Sequence, residues 1–171
     1  MTSTEAAADA LQDHAALWST REIRSHAVVH AACEALVAGL DSPGLRALAA
    51  CTRADADYDV PTLLPEALSE LGLTFFPVGS DAGREAAAQA LARRMLADGL
   101  TAREFASRIH ELHGRESRWA ERLAELDDEY GILECGCADG PTTQVDAEVR
   151  AEARRLAARP RRPAEHRDPR S

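Results

Sequence analysis

Residues 118–130 read RWAERLAELDDEY, and this stretch has the clearest periodicity in the chain. Its large apolar side chains recur at intervals of four, three and four residues, which places them on one face of an α-helix. They are Trp119, Leu123, Leu126 and Tyr130. Charged side chains occupy the other faces, so the stretch predicts an amphipathic helix that buries one stripe against its neighbours.

The helices on either side have clear start and stop signals. Residues 101–104, TARE, form a capping box, in which the Thr and Glu side chains each accept from the other's backbone N–H. Leu100 and Phe105 flank the box in hydrophobic-staple positions, and a preceding helix over 82–98 is predicted to stop at Gly99. The buried stripes predicted for the sixth and eighth helices are Phe105, Ile109 and Leu112, and Val145, Val149, Ala153 and Leu156.

The first two predicted helices meet at a second capping-box pattern. A helix over 4–17 precedes residues 19–22, STRE, which predict the start of another helix running to about Leu40. Trp18 and Ile23 lie on either side of this box, where they would form a staple.

Two more helices are predicted before the middle of the chain. Ser42-Pro43 indicates a helix start, because Pro at the first helical position has no N–H to lose. A fourth helix over 60–71 is predicted to end at Gly72. Residues 74–80 then interrupt the helical pattern, and they are the best candidate for a boundary between two halves.

Composition agrees with a fold made of helices. Ala fills 35 of the 171 positions, aromatic residues make up 4%, and β-branched residues are sparse, which favours helix over strand. We therefore expect an all-α fold over 4–158: a single compact bundle of seven to eight helices, with two packed helical halves as the alternative. Residues 159–171 are rich in Arg and Pro, cannot build a core, and are predicted to be disordered.

Positive charge is concentrated in the C-terminal segment. All 20 basic residues are Arg, and eight lie in 150–171, which carries about +5 and leaves about −14 on residues 1–149. We expect this basic tail to stay solvated or lie on the acidic body, with an acidic partner or nucleic acid as alternatives.

The start of the chain lacks a signal-peptide pattern, and no apolar run approaches the roughly 18–20 residues of a membrane span. The expected compartment is the cytoplasm, with four reduced cysteines.

His26, His30 and Cys33 are the strongest metal candidates in the sequence. Their spacing, His-x3-His-x2-Cys, puts all three on one side of a helix, where two imidazoles and a thiolate can hold Zn²⁺. The spacing resembles the His-x3-Cys-x2-Cys pattern of zinc-binding anti-sigma factors, with His30 in place of the first Cys. We interpret the two histidines and the cysteine as residues of a buried apolar stripe, with a zinc site as the alternative, because apolar side chains share their sector. Those side chains are Val29, Leu36, Val37 and Leu40.

Cys135-Gly136-Cys137 lies in a predicted loop. Two thiols are too few for a tetrahedral metal site, and redox pairs more often have two intervening residues. The two cysteines are therefore interpreted as incidental thiols, with a functional pair as the alternative.

Asp55, Asp57, Asp59 and Glu66 have the spacing of ligands in a calcium-binding EF loop. Val60 stands where that loop needs a glycine for its sharp turn. We therefore interpret Asp59 as the N-cap of the fourth helix and its neighbours as solvated.

His110 and His113 resemble a metalloprotease motif with one residue missing. Because the apolar stripe of their helix faces the core, His110 is predicted to face solvent. His113 is predicted to lie at the helix C-terminus, where positive charge suits the helix dipole.

Three stretches resemble small helical proteins that recur in GC-rich actinobacteria. They are LVAGLDSPGLRALA (36–49), LLPEALSELGL (63–73) and AERLAELDDEYGILE (120–134). The resemblance spans most of residues 32–157 and contains no motif with a known role. It implies a soluble helical fold and assigns no site residue.

The sequence contains no nucleotide-binding glycine motif and no nucleophile elbow. The leading hypothesis is a non-enzymatic helical protein that acts through protein–protein contacts, as a regulator or an immunity- or antitoxin-like partner. One alternative is a zinc-binding sensor or enzyme that uses His26, His30 and Cys33. The other is a nucleic-acid-associated regulator that uses the Arg-rich tail.

Overall fold

The computed structural model describes residues 2–115, 118–137 and 140–160. Within these residues the chain forms eight α-helices and no strand, which confirms the predicted all-α fold. The helices are α1 (Ser3–Ser19), α2 (Ser25–Val37), α3 (Pro43–Ala49), α4 (Ala56–Glu70), α5 (Asp81–Leu96), α6 (Ala102–His113), α7 (Arg118–Glu134) and α8 (Thr143–Ala157).

The described helices group into two units. Residues 2–87 contain α1 to α4 and the first part of α5, and residues 88–160 contain the rest of α5 with α6 to α8. In the first unit α2 contacts α1, α3 and α4, and α3 also packs on α4. In the second, α6, α7 and α8 contact one another. The grouping changes inside α5, and the boundary predicted over 74–80 stays a prediction.

Small side chains bring the helices of the first unit close together. The Gly44 N–H, at the start of α3, donates to Glu70 Oε2 at 2.7 Å. A Cβ on Gly44 would lie 3.0 Å from the backbone of Ala67, so only glycine fits between α3 and α4 here. The larger buried side chains of this core are Leu11, Val28, Leu45, Leu48, Val60, Leu64 and Leu68.

The segment after α4 is fixed to α1 by a buried amide. Gln12 Nε2 donates to the Thr74 carbonyl at 2.7 Å, and Gln12 Oε1 accepts from the Thr74 N–H at 2.7 Å. Phe76 is buried, and the Gly79 N–H donates to the Ser19 carbonyl at 3.2 Å. These contacts hold residues 74–79 beside the end of α1.

In the second unit the predicted apolar stripes face the core. The stripe of α7 is confirmed at Leu123, Leu126 and Tyr130, while Trp119 is half-buried. The predicted stripes of α6 and α8 are also confirmed, apart from Leu112, which is half-buried. Their buried members are Phe105, Ile109, Val145, Val149, Ala153 and Leu156.

Two of the predicted helix starts are confirmed. The Glu104 N–H donates to Thr101 Oγ1 at 3.1 Å, and the Thr101 N–H donates to Glu104 Oε2 at 2.9 Å. These bonds from Thr101 hold the pKa of Glu104 below its usual value, because they favour the ionised carboxylate. At α3 the Leu45 N–H donates to Ser42 Oγ at 3.1 Å.

The capping box predicted at residues 19–22 is wrong, because this segment ends α1 instead of starting α2. The Arg21 N–H donates to the Trp18 carbonyl at 3.0 Å, and the Glu22 N–H donates to the Leu17 carbonyl at 2.9 Å. This is the Schellman arrangement, which requires a left-handed residue after the last turn. Arg21 is that residue, with φ of 64°.

Because residues 19–22 form a stop signal, α2 begins later than predicted. The Ser19 hydroxyl donates to the Ala16 carbonyl at 2.7 Å and so caps no helix. Helix α2 begins at Ser25, after Arg24, whose side chain makes no capping hydrogen bond. The first turn of α2 therefore has no side-chain cap.

Two further helix bounds differ from the prediction. Helix α4 begins at Ala56, one turn before residue 60, so the interpretation of Asp59 as its N-cap is wrong. A turn at Thr52 starts the helix, since Thr52 accepts from the Ala56 N–H at 3.0 Å. Helix α5 ends at Leu96 and is stopped by left-handed Asp98, with φ of 58°, instead of by Gly99.

Candidate functional site: a groove at the start of α2

Three segments of the first unit line a groove of about 450 Å³. They are the turn from α1 into α2, the first turns of α4, and the segment that Gln12 holds beside α1. We call this site the α2 groove. Its lining residues are Trp18, Arg21, Ile23, Arg24, Ser25, Asp57, Pro61 and Val78.

Trp18 provides the groove with a fixed apolar wall. Its indole Nε1–H donates to Ser25 Oγ at 3.1 Å, and Ser25 is itself buried. Trp18 and Ile23 are half-buried and pack against the core of the first unit. Because the indole is tied at its polar end, its apolar rings present a preformed surface.

Two arginines at the groove have no charged partner. Arg21 and Arg24 are exposed, and neither side chain has an ion pair or hydrogen bond among the described residues. The uncapped N-terminus of α2 adds partial positive charge beside them. Among the described residues of the lining Asp57 is the single acidic one, so they carry net positive charge on a chain whose net charge is −9.

One exposed apolar side chain belongs to the lining, and an exposed aromatic side chain follows a lining residue along the chain. Tyr58, which follows Asp57 on α4, is 87% exposed, and Val78 in the lining is 52% exposed. Tyr is among the residue types enriched in protein interfaces, since its ring adds contact area at a low entropic cost. An aromatic wall and two arginines that have no side-chain partner among the described residues together form a surface suited to another chain.

The second unit contains a cavity of about 430 Å³ whose arginines are already paired. Arg103 forms ion pairs with Asp127 and with Glu134, the latter at 3.1 Å from Nε to Oε1. Arg150 Nη1 lies 3.9 Å from Asp98 Oδ1. An anionic ligand would have to break these pairs, whereas at the α2 groove the described residues form no ion pair with Arg21 or Arg24.

The polar residues beside this cavity connect α6, α7 and α8. His110 Nδ1 lies 2.9 Å from Asp127 Oδ2, so the prediction that His110 faces solvent is wrong because α7 covers that side of α6. The hydroxyl of buried Tyr130 donates to Asp146, and Arg103 stacks 5.3 Å from the Tyr130 ring centroid. Burial, followed by the bond to Asp146, raises the pKa of Tyr130. The network is consistent with a stabilising role.

The three predicted zinc ligands lie on the exposed side of α2. His26, His30 and Cys33 are all exposed, so the interpretation of these three as core residues is wrong. His30 Nδ1 lies 3.6 Å from Glu34 Oε1, and Cys33 Sγ donates to the Ala49 carbonyl at 3.5 Å. Among the described residues no three His, Cys, Asp or Glu side chains are arranged to hold a metal ion, so zinc stays a prediction without geometric support.

The calcium-like spacing does not form a loop. Asp57, Asp59 and Glu66 all belong to α4, and Asp55 immediately precedes it. A helical backbone spreads these carboxylates around its axis, whereas an EF loop turns sharply around the ion.

The cysteines depart in part from the expectation of four reduced thiols. Cys135 and Cys137 are joined by a disulfide, and Cys33 and Cys51 are thiols. Burial raises the pKa of the Cys51 thiol, and the charges of Asp59 and Asp55 raise it further.

Most of the predicted basic tail, 159–171, lies outside the described residues. Of its arginines only Arg159 is described, with its guanidinium 5.6 Å from the ring centroid of Trp119. His113 packs edge-on against the same indole, at 4.7 Å between ring centroids. The proposed tail contacts with an acidic partner or nucleic acid stay predictions.

Comparison with protein-family models, with curated proteins and with solved structures found no match for this chain. In the part of the chain that the structure describes, every helix is too short or too polar to cross a membrane.

Sequence reasoning did not find the α2 groove. Trp18 and Ile23 were expected to form a staple, and Arg21 was placed inside a capping box. Pro61 and Val78 lie far from them along the chain, and the sequence contains no pairing signal that would bring these segments together. The one available signal was the solitary Trp18 next to two arginines, Arg21 and Arg24.

Proposed function

We propose that this protein acts through protein–protein contacts and that the α2 groove binds the partner. The partner segment presents a carboxylate next to an apolar side chain. One observation carries this proposal: among the described residues Arg21 and Arg24 have no side-chain partner, and they stand at a groove whose wall is the fixed indole of Trp18. Regulators and immunity- or antitoxin-like proteins, the classes predicted from the sequence, act through contacts of this kind.

The chemistry of the groove supports an acidic and apolar ligand. The apolar side chain would contact Trp18, Ile23 and Val78, where burial of carbon surface contributes roughly 25 cal/mol per Å². The carboxylate would meet the guanidinium groups, which bind carboxylates through paired N–H donors. Repulsion from the acidic body is screened beyond about 8 Å at physiological salt, so short-range attraction decides binding at the groove.

A protein ligand fits this site better than a nucleic acid does. Contacts of Lys and Arg with phosphates supply essentially all of non-specific nucleic-acid binding and a large share of specific binding. The groove offers two arginines and also holds Asp57, on a chain of net charge −9. Two guanidinium groups beside one carboxylate provide too few favourable contacts to hold a phosphate backbone.

The proposal can be tested by selecting ligands from a displayed library of random 12-residue peptides on the immobilised full chain. We expect enriched peptides in which Asp or Glu stands beside a large apolar residue. Binding of a selected, fluorescently labelled peptide would then be measured by polarisation. Arg24→Glu and Arg21→Glu are each expected to weaken binding by about tenfold or more, equivalent to about 1.4 kcal/mol.

Arg53→Glu is the matched control for charge. Arg53 is an exposed arginine of the same unit and lies outside the groove lining, so its reversal makes the same change in net charge. The proposal is wrong if no acidic and apolar consensus emerges, or if Arg53→Glu weakens binding as much as Arg24→Glu does. It is also wrong if a labelled single-stranded 12-mer DNA binds at the groove more tightly than the selected peptide.

A further inference from the structure

A disulfide closes the turn that follows α7. The Cα atoms of Cys135 and Cys137 are 5.4 Å apart, within the range that a disulfide spans. Both residues are exposed, as is Gly136 between them. The bond is therefore open to attack from solvent on either sulfur.

The turn does not depend on this disulfide for its shape. The Gly136 N–H donates to the Leu133 carbonyl at 3.2 Å, and the Cys137 N–H donates to the Ile132 carbonyl at 3.1 Å. Gly136 has φ of 69°, the left-handed conformation that this Schellman stop requires. Backbone hydrogen bonds and a glycine thus end α7 whether or not the sulfurs are joined.

The disulfide also contributes little as a cross-link. The entropy that a disulfide removes from the unfolded chain grows with the logarithm of the loop length, and here one residue separates the cysteines. A bond that is exposed, local and dispensable for the fold has the features of labile or regulatory disulfides rather than of structural ones.

The end of α7 is anchored next to the disulfide by an ion pair. Glu134, which precedes Cys135, receives the Arg103 Nε–H at 3.1 Å from α6. The last turn of α7 therefore keeps its contact with α6 while the sulfurs change state. The other two cysteines, Cys33 and Cys51, belong to the other unit and do not take part in this bond.

We propose that Cys135 and Cys137 form a redox couple that exchanges with dithiols while the chain stays folded. A thiolate of the dithiol attacks one sulfur, the Cys135–Cys137 bond breaks, and a mixed disulfide forms. The second thiol of the dithiol then displaces the protein cysteine, leaving an oxidised dithiol and two protein thiols. Two electrons pass to the protein, and the two protons of the dithiol end on the cysteine sulfurs. This site is separate from the α2 groove and does not rest on the proposed docking function.

The test uses the full chain with Cys33→Ser and Cys51→Ser, so that Cys135 and Cys137 are the remaining cysteines. The protein is equilibrated with mixtures of reduced and oxidised dithiothreitol or glutathione, and thiols are then trapped with an alkylating reagent and counted by mass. We expect a single two-electron transition under native conditions. Far-ultraviolet circular dichroism and the melting temperature are expected to stay the same within a few degrees.

Cys135→Ser in the same background serves as the control. It is expected to form a mixed disulfide with oxidised glutathione and to lose the two-electron transition, because the second sulfur is missing. Three outcomes would overturn the proposal: the pair stays as two thiols under the most oxidising mixture, it resists reduction until denaturant is added, or its reduction unfolds the helices.

Discussion

Arg21 combines an unfavourable backbone conformation with an exposed guanidinium that has no ion pair among the described residues. Its φ of 64° lies in the left-handed region, which costs a non-glycine residue about 1–2 kcal/mol. Glycine is the usual residue at this position of a Schellman motif, and α2 and α4 both follow that rule, with Gly39 and Gly72. An arginine that retains this strain at the α2 groove is consistent with selection for binding over stability.

Replacement of this residue should separate stability from binding. Arg21→Gly is expected to raise the free energy of unfolding by about 1 kcal/mol, because glycine adopts the left-handed conformation without strain. The same variant is expected to weaken binding of the selected acidic peptide, because a guanidinium is lost. Urea unfolding measures the first effect, and fluorescence polarisation measures the second.

Asp98→Gly is the matched control for this experiment. Asp98 occupies the equivalent left-handed position after α5, with φ of 58°, and lies outside the α2 groove. Its replacement is expected to raise stability by a smaller amount, since Asp tolerates this conformation better than Arg, and to leave peptide binding unchanged. Loss of binding in Asp98→Gly, or unaltered binding in Arg21→Gly, would contradict the role assigned to Arg21.

Two threonines at helix N-termini allow a second test. Thr101 makes the capping bonds of α6, whereas Thr142, at the N-cap of α8, makes no side-chain capping bond. Thr101→Ala is expected to lower the free energy of unfolding by about 1 kcal/mol. Thr142→Ala is expected to leave it nearly unchanged, and equal urea midpoints for the two variants would show that the α6 box adds nothing.

At the scale of the helices, sequence signals predicted most elements but could not resolve one ambiguity. Ser42-Pro43 and the box at residues 101–104 were recognised because a cap acts within one turn of chain. Residues 19–22 match the sequence pattern of a capping box, which predicts a helix start, but they end α1. Residues 19–22 end a helix when Leu17 and Trp18 already belong to one, and start a helix when they do not. Whether Leu17 and Trp18 are helical depends on packing beyond the motif.

Helix packing itself can be tested at two glycines. Gly44→Ala is expected to destabilise the protein by about 1–3 kcal/mol, because its Cβ would lie 3.0 Å from the Ala67 backbone and α3 would have to move from α4. Gly131→Ala, inside α7, meets nothing within 4 Å and is expected to stabilise by about 1 kcal/mol through helix propensity alone. Chemical unfolding measures the free energy of unfolding of both variants. An unchanged free energy of unfolding in Gly44→Ala would show that α3 and α4 are not in close contact.

On the scale of the whole molecule, the all-α fold was predictable while the candidate site was not. The stripes of α7 and α8 follow from the spacing of residues such as Leu123 and Val149, which one helix presents on one face. The α2 groove depends on Pro61 and Val78 reaching Trp18 from other parts of the chain. Contacts at such sequence separations leave no local pattern.

The structure shows positive charge at a second place on the molecule, besides the C-terminal segment. The sequence drew attention to the arginines of the C-terminal segment, and those beyond Arg159 lie outside the described residues. The arginines of the α2 groove, Arg21 and Arg24, lie instead on the acidic N-terminal body. On an acidic protein, a local excess of positive charge indicates a binding site better than the net charge of the whole chain does.

The most direct test of the docking proposal uses the two tryptophans of the chain. Trp18 lines the α2 groove with its indole N–H on Ser25, and Trp119 belongs to the second unit, so one protein supplies both a reporter and an internal control. The ¹H–¹⁵N indole signals would be followed while the selected acidic peptide is added to the full chain. We predict that the Trp18 signal shifts saturably while that of Trp119 stays in place. An unchanged Trp18 signal at saturating peptide, or a shift of Trp119 alone, would contradict the assignment of the α2 groove as the docking site.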